Sequence, residues 1–306
     1  MNLTPVSQKN LYGLNSYFNE LVNLYEKKKF PSKILLSGNK GIGKCTMAYH
    51  LINYILSKEE EYPYDLKKMV INENNKSFKL IINRSNPNLQ LIDVNKEKKN
   101  IEVSQVRELI NNLNKSSLNS KPRFVLIDNI EFLNINSVNA LLKILEEPNE
   151  NIFFILINNN KRILPTLKSR CLNFRIILTN SISHSVINKI LEKDLSEVIN
   201  KDLVNFYFSP GNIYHLIKFA HENEIDLSNL SHKQFLSILI KKNLYKKDIF
   251  IKNIFFEMIE FFISKKKFVF MSNHYEYFLR RIDEIKKFNL DEESLAIEFE
   301  DKILYG

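Results

Sequence analysis

Continuous apolar runs alternate with helix-like periods between about residues 33 and 177. Runs that are apolar at successive positions are typical of strands covered on both faces of a sheet. We predict five such strands, over Lys33–Ser37, Leu89–Val94, Arg123–Asp128, Ile152–Ile157 and Phe174–Leu178.

Between these runs, apolar residues return every three or four positions, as they do in Val103–Leu113 and Val138–Leu145. This spacing predicts amphipathic helices. Alternation of strands with helices predicts an α/β fold, in which helices cover both faces of a parallel sheet. Residues 58–88 are polar and irregular, so we predict an insertion or long loop there.

Helical periods continue after about residue 179, where the strand-like runs end. We predict helices over Val186–Ile199, Ile213–His221, Phe235–Ile240, Ile249–Ile263 and Tyr275–Phe288. The chain therefore divides into a predicted α/β core over residues 1–176, a small helical domain over residues 177–225 and a C-terminal helical domain over residues 226–306.

The sequence offers no sign of export, membrane insertion or a cysteine framework. The first ten residues lack a basic segment followed by an apolar run, and Ile249–Ile263 is too short and too charged to cross a bilayer. Two distant cysteines, Cys45 and Cys171, exclude a disulfide framework and a cysteine-rich zinc module. We expect a cytoplasmic protein with no membrane partner and no zinc.

A glycine-rich segment, GNKGIGK, follows the first predicted strand and precedes a predicted helix. Its glycines, Gly38, Gly41 and Gly43, allow backbone N–H groups to turn toward phosphate oxygens, and Lys44 can reach the terminal phosphates. We expect this loop to bind the phosphates of ATP. A simple turn between strand and helix is the alternative.

The residue after the lysine departs from the usual phosphate loop. A hydroxyl that ligates Mg²⁺ is expected there, and Cys45 stands in its place. A thiol is a poor ligand for this ion. Thr46 comes one residue late and points about 100° away around the helix. Mg²⁺ is thus a weaker candidate ligand than ATP.

The strand VLID ends in Asp128, which in phosphate-loop proteins can hold Mg²⁺. The next residue is Asn129, whose amide cannot accept a proton from an attacking water. Glu131 follows two residues on, and we interpret it as a surface acid on another face.

Two further motifs, NALLKILEEP over residues 139–148 and Ser-Arg-Cys over residues 169–171, complete a pattern with the loop and LIDN. In combination they resemble the bacterial clamp-loader AAA+ family of the replicative DNA polymerase III holoenzyme. The resemblance implies a RecA-like AAA+ core over residues 1–176, a helical lid and an all-α collar domain. It also implies gamma/tau-type and delta-type subunits, a sliding clamp and primed duplex DNA as partners.

By this resemblance, Arg170 is a trans arginine finger that reaches the ATP site of a neighbouring subunit. Without the resemblance, a surface or ion-paired arginine is the safer interpretation. Asn158, the first of three consecutive asparagines, corresponds to the polar sensor-one residue, and no arginine lies at the sensor-two position near Gly211. These departures weaken hydrolysis by this chain and leave Arg170 untouched.

Three functions remain open. The first is a mostly rigid ring member that donates an arginine finger and has weak or no ATPase activity. The second is an ATP-hydrolysing gamma/tau-type motor, and the third is a small-molecule phosphate-loop kinase. The cysteine and asparagine substitutions argue against the motor, and the long helical tail argues against the kinase.

The positive charge of the 306-residue chain is unevenly placed. The chain has 44 basic and 35 acidic residues, a net charge of +9. Residues 1–176 contain 26 basic and 16 acidic residues, whereas residues 177–306 contain 18 and 19. An excess confined to the core predicts sequence-independent contacts between the core and DNA phosphates.

Overall fold

One parallel sheet organises the first part of the chain. The computed structural model describes residues 3–94, 100–115, 119–146, 151–204, 208–265, 272–288 and 290–305. The strands are β1 (Lys33–Ser37), β2 (Leu89–Ile92), β3 (Arg123–Ile127), β4 (Ile152–Asn158) and β5 (Leu172–Arg175). They lie in the order β2-β3-β4-β1-β5, and each ladder is parallel.

The helices of the sheet-containing part precede and follow these strands. They are α1 (Asn15–Glu26), α2 (Lys44–Leu56), α3 (Lys76–Ile82), α4 (Val103–Leu113), α5 (Ile135–Glu146) and α6 (Pro165–Lys168). The later helices are α7 (Asn180–Leu191), α8 (Leu195–Val198), α9 (Pro210–Glu222), α10 (His232–Lys241), α11 (Ile249–Lys265), α12 (Ser272–Phe288) and α13 (Glu293–Phe299). Short helical turns occur at Pro5–Ser7, Ile130–Phe132, Lys201–Leu203, Leu244–Lys246 and Glu300–Leu304.

Both faces of the sheet are covered, as the apolar runs predict. Along β3, Phe124 and Leu126 belong to one hydrophobic cluster, which includes residues of α1 and α2. The alternate residues, Val125 and Ile127, belong to a second cluster with residues of α4 and α5. Because successive side chains of a strand point to opposite faces, a strand between two helical layers must be apolar at every position.

The predictions for the first four strands are confirmed to within two residues at each end, but the last strand begins and ends earlier than predicted. β5 is Leu172–Arg175, not Phe174–Leu178. This strand lies at the sheet edge, and its leading residues are largely exposed. The apolar run that suggested a strand contributes Ile176 to the core, whereas Ile177 is 57% exposed.

The predicted irregular segment over residues 58–88 contains helix α3, so that part of the prediction is wrong. The side chain of Asn75 caps the helix by accepting a hydrogen bond from the Phe78 backbone N–H, at 2.7 Å. Phe78 and Ile81, three residues apart, are both buried. The buried side chains and the cap stabilise this short helix, in which four of the seven residues are apolar.

The chain divides into two compact units. The first contains residues 1–186 together with 209–211, and the second contains residues 187–208 and 212–306. The second unit is helical in its described ranges and has an aromatic core that includes Phe235, Phe255, Phe278 and Phe299. The division into three domains remains a prediction. None of the described helices has the length and apolar character needed to cross a membrane.

The helix predicted over Val186–Ile199 is interrupted, and it forms the end of α7 and the whole of α8. Glu192 adopts a positive φ of 56°, which ends the first helix. Asp194 then caps α8 by accepting the backbone N–H of Ser196 at 2.9 Å. Such local reversals disrupt the helical period without removing its apolar residues.

Candidate functional site

The phosphate loop lies between β1 and α2, at the carboxyl end of the parallel sheet. Gly41 and Gly43 have φ values of 80° and 91°, in the left-handed region that side chains disfavour. Gly43 is also the N-cap of α2, so the positive end of this helix dipole lies at the loop. The backbone thus has the conformation that the sequence predicts for phosphate binding.

Lys44 is 3% exposed and lies over this loop. Its ammonium donates hydrogen bonds to the carbonyl oxygens of Gly38 at 2.9 Å and Asn39 at 2.6 Å, and to Asn159 Oδ1 at 2.9 Å. Burial lowers the pKa of Lys44 to about 8, and nearby carboxylates oppose this shift. The lysine therefore carries a positive charge at neutral pH.

The thiol of Cys45 lies beside the carboxylate of Asp128, toward which it is a potential hydrogen-bond donor. Burial is the main cause that raises the pKa of Cys45, so the thiol stays protonated. Burial and the neighbouring carboxylate of Asp93 raise the pKa of Asp128. Thr46 is the next residue of α2 and is half-buried. Its side chain points about 100° away from that of Cys45 around the helix axis.

A network of amides and carboxylates adjoins this pair. Asn129 donates to Asp93 Oδ1 at 2.8 Å, and its own Oδ1 accepts a hydrogen bond from Asn159 at 2.8 Å. Asn159 also donates to Glu131 Oε1 at 2.9 Å. The interpretation of Glu131 as a surface acid on another face is therefore wrong. Its carboxylate faces Lys44, and its negative charge opposes the lowering of the Lys44 pKa.

All three asparagines at the end of β4 touch the phosphate loop. The Asn158 carbonyl oxygen accepts the Gly38 N–H at 3.3 Å, Asn159 accepts from Lys44, and Asn160 donates to Asn39 Oδ1 at 2.6 Å. The Asn158 side chain instead bonds the backbone of Lys161, at 3.0 and 3.1 Å. The amide nearest to the lysine thus belongs to Asn159, which the sequence does not distinguish from its neighbours.

Gly211 lies against the phosphate loop and is grouped with the first unit. Its N–H donates to the Gly41 carbonyl oxygen at 2.9 Å, and an added Cβ would come within 2.8 Å of Gly41 Cα. This residue occupies the region where a sensor-two arginine is expected, so backbone contact takes the place of a guanidinium here.

Arg170 lies apart from this network, in the turn between α6 and β5, and is exposed. Its Nε donates to Glu146 Oε1 at 2.9 Å, its Nη2 contacts the same oxygen, and its Nη1 donates to the Thr166 carbonyl oxygen at 2.9 Å. The guanidinium is therefore held at the surface by an ion pair rather than within its own phosphate site. The Glu147 and Pro148 positions of the neighbouring motif lie outside the described residues.

The loop fits phosphate groups better than it fits Mg²⁺. Left-handed glycines, a helix N-terminus and a buried ammonium are the groups that hold phosphates. A magnesium ion requires oxygen ligands, and the thiol of Cys45 stands where a hydroxyl oxygen is needed. In the part of the chain that the structure describes, no group of three or more His, Cys, Asp or Glu side chains could hold a metal ion.

Comparison with known proteins identifies the family. The family model described as "DNA polymerase III, delta subunit" matches residues 13–179, more than half of the chain. The delta prime subunit of Pseudomonas aeruginosa is 32% identical over 138 residues, which cover 45% of this chain and 40% of that protein. The delta prime subunit of Buchnera aphidicola from Schizaphis graminum is 29% identical over 164 residues, which cover 53% and 47%.

The gamma subunit from the same Buchnera strain is 29% identical over 192 residues, covering 62% of this chain and 50% of that protein. A solved gamma subunit-related protein from Thermotoga maritima is 17% identical, with 94% and 92% coverage and a TM-score of 0.38. The chain spans about half the length of the curated relatives it matches. With the matched family model and the delta prime relatives, the chain belongs to the delta prime-type clamp-loader family of DNA polymerase III.

Proposed function

We propose that this chain is a clamp-loader subunit of the DNA polymerase III holoenzyme that activates a neighbouring ATPase and hydrolyses little or no ATP itself. Asn129 carries this proposal. It occupies the position where a hydrolytic enzyme places a carboxylate base, and an amide cannot accept a proton from water. Its amide is also already engaged with Asp93 and Asn159.

Arg170 is the residue proposed to act in the neighbouring ATP site. Its exposure and its surface ion pair with Glu146 are compatible with transfer to an external phosphate. A guanidinium there supplies fixed positive charge to the transferring phosphoryl group. An exposed ion pair contributes little to stability, so exchanging Glu146 for phosphate costs little.

The loop of Gly38, Gly41, Gly43 and Lys44 is proposed to hold the phosphates of a bound nucleotide. In this assignment Lys44 exchanges its backbone carbonyl partners for phosphate oxygens. The same assignment puts Asp128, Cys45 and Thr46 among the residues of the nucleotide site, together with Asn158, whose carbonyl oxygen accepts the Gly38 N–H of the loop. No hydrolytic step follows from this arrangement.

The proposed partners are gamma/tau-type and delta-type subunits, the sliding clamp and primed duplex DNA. Support for DNA comes from the charge excess of the core and from a groove of about 350 Å³ between α4 and α5. The lining of this groove is partly apolar, and the side chains that could contact phosphates are those of Arg107, Lys143, Asn136 and Asn139, beside Val103, Ile110 and Ala140. Basic and amide side chains of this kind bind phosphates without reading sequence.

The arginine assignment is tested by Arg170→Ala in a complex reconstituted with gamma/tau-type and delta-type subunits, clamp and primed DNA. Removing the trans charge should lower the ATPase rate by about 10³ or more. Arg162→Ala removes another exposed arginine from the preceding loop and should leave the rate unchanged. An unchanged rate in the Arg170→Ala complex, with assembly intact, would remove this residue from the mechanism.

A gamma/tau-type motor is the second candidate, and Glu131 is the observation that favours it. Its carboxylate bonds Asn159 beside Lys44 and could accept a proton from water. The two candidates differ in the ATPase rate of the purified chain, which we expect to be negligible. Turnover of about one per second or faster, abolished by Glu131→Gln and retained by Glu108→Gln, would establish the motor instead.

A further inference from the structure

The contact between Cys45 and Asp128 occupies the place where a phosphate-loop protein completes its metal site. In such proteins a hydroxyl on the first turn of the helix and a carboxylate after a strand face the same ion. Here the first-turn side chain is the thiol of Cys45, which lies beside the Asp128 carboxylate and presents sulfur where an oxygen ligand is needed.

This pair is poorly suited to Mg²⁺ on chemical grounds. The ion selects oxygen ligands at about 2.0–2.1 Å and near-ideal octahedral geometry, and sulfur is a soft ligand. Even with the Asp128 carboxylate as a ligand, sulfur would face the ion at the position of Cys45. The neighbouring acid, Asp93, already accepts a hydrogen bond from Asn129.

The phosphate-holding half of the site is intact in comparison. Gly41 and Gly43 retain the left-handed backbone, Gly43 caps α2, and the charged Lys44 lies over the loop. These groups attract phosphate through N–H dipoles and a fixed ammonium charge, and neither needs a divalent cation. The site thus combines complete phosphate recognition with an incomplete metal site.

We propose that the Lys44 loop binds nucleotide phosphates without Mg²⁺, and that Cys45 is the residue that removes the metal requirement. This inference rests on the proposed function, since it concerns the nucleotide site of the same subunit. It assigns the site a metal-free nucleotide as ligand, so that occupancy is independent of the divalent cation that the neighbouring ATPase sites use.

The test is isothermal titration of the full chain with ADP, in excess EDTA or in millimolar MgCl₂. ADP is the probe because it cannot be turned over at the γ-phosphate. We expect the two dissociation constants to agree within about threefold. In Cys45→Ser, which supplies the missing oxygen, MgCl₂ should tighten ADP binding by about tenfold.

Cys171→Ser is the matched control, because it removes the other thiol of the chain and should retain the metal-independent response. Thermal melts of the wild type and the two variants establish whether each protein is folded. If a variant does not fold, the titration of the wild type still decides whether binding depends on Mg²⁺. Tightening of wild-type binding in MgCl₂ by more than about threefold, or no ADP binding in either condition, would overturn the proposal. A Cys45→Ser protein that gains no response to Mg²⁺ would also overturn the role of Cys45.

Failure of this proposal is separable from failure of the proposed function. The arginine-finger role is measured as ATPase activity of the assembled complex with Arg170→Ala. ADP affinity of the isolated chain should be the same in that variant as in the wild type. A chain that binds no nucleotide can still donate Arg170.

Discussion

His50 is fully buried, and both of its ring nitrogens are engaged. Nε2 lies 3.1 Å from the Gln8 carbonyl oxygen, so it carries the proton, and Nδ1 accepts from the Tyr64 hydroxyl at 2.9 Å. Burial lowers the pKa of His50 to about 4, and the bond to Gln8 opposes this shift. The native state therefore holds a neutral imidazole over most of the acidic range.

We predict that the free energy of unfolding falls as the pH drops from about 6.5 to about 4. The unfolded chain binds a proton in this range and the folded chain does not, so acid favours unfolding. The full effect is about 3 kcal/mol. Urea denaturation across this range should show a flatter pH dependence for His50→Gln, whereas His221→Gln, at an exposed position, should follow the wild type.

The network around Lys44 shows which site residues the sequence can reveal. The glycines, the lysine and Asp128 follow strand ends, and a parallel sheet brings such positions to one edge. Glu131 does not follow from any pattern, because the left-handed φ of 56° at Asn129 turns the next three residues into a short helical turn. The role of Asn159 could not be predicted either, because residues 158–160 are three identical asparagines. Only the structure shows which side chain points toward Lys44.

Two side chains accept backbone N–H groups at the start of helix α3: Asn75, and Glu60, whose Oε2 accepts the Ser77 N–H at 3.0 Å. Asn75 Oδ1 accepts hydrogen bonds from the Phe78 N–H at 2.7 Å and from Asn53 Nδ2 at 2.9 Å, and Asn75 Nδ2 donates to the Tyr62 carbonyl oxygen at 2.8 Å. Both asparagines are buried. One residue thus ties α3 to α2 and to the preceding segment.

We predict that Asn75→Ala lowers the free energy of unfolding by about 2–4 kcal/mol. The change removes the helix cap and leaves a buried amide of Asn53 without this acceptor. Asn74→Ala, at the exposed neighbouring position, should cost less than about 0.5 kcal/mol. Urea denaturation of the two variants compares these values directly, and equal losses would contradict the capping role.

At the level of elements, the central strands are predictable and the edge is not. β3 and β4 lie between two helical layers, so burial requires an apolar residue at nearly every position. This continuous apolar pattern is visible in the sequence. β5 is exposed along one edge, and its hydrogen bonds to β1 define it more than its side chains do. Ile176 is apolar because it enters the core after the strand has ended.

The charge of the whole molecule is concentrated in its first 176 residues, where the groove between α4 and α5 presents Arg107 and Lys143. We predict that Arg107→Ala with Lys143→Ala weakens binding of the assembled complex to primed duplex DNA. The slope of log affinity against log salt should fall by roughly 2, because two phosphate contacts are lost.

Lys201→Ala with Lys242→Ala is the charge-matched control, since both lysines are exposed in the charge-balanced part of the chain. It should leave the salt slope unchanged. Fluorescence anisotropy over a range of salt concentrations measures both slopes. Loss of subunit assembly in the Arg107 and Lys143 variant, in place of weaker DNA binding, would contradict this location for DNA.

The strand order also fixes when the phosphate loop can form during synthesis. β1 pairs with β4 and β5, and both come long after it in the chain. A nascent chain that has exposed β1 and its loop therefore has no neighbouring strand to offer them until residues 152–175 have left the ribosome. Until then, β1 is an apolar strand with unpaired edges, which exposes the nascent chain to aggregation.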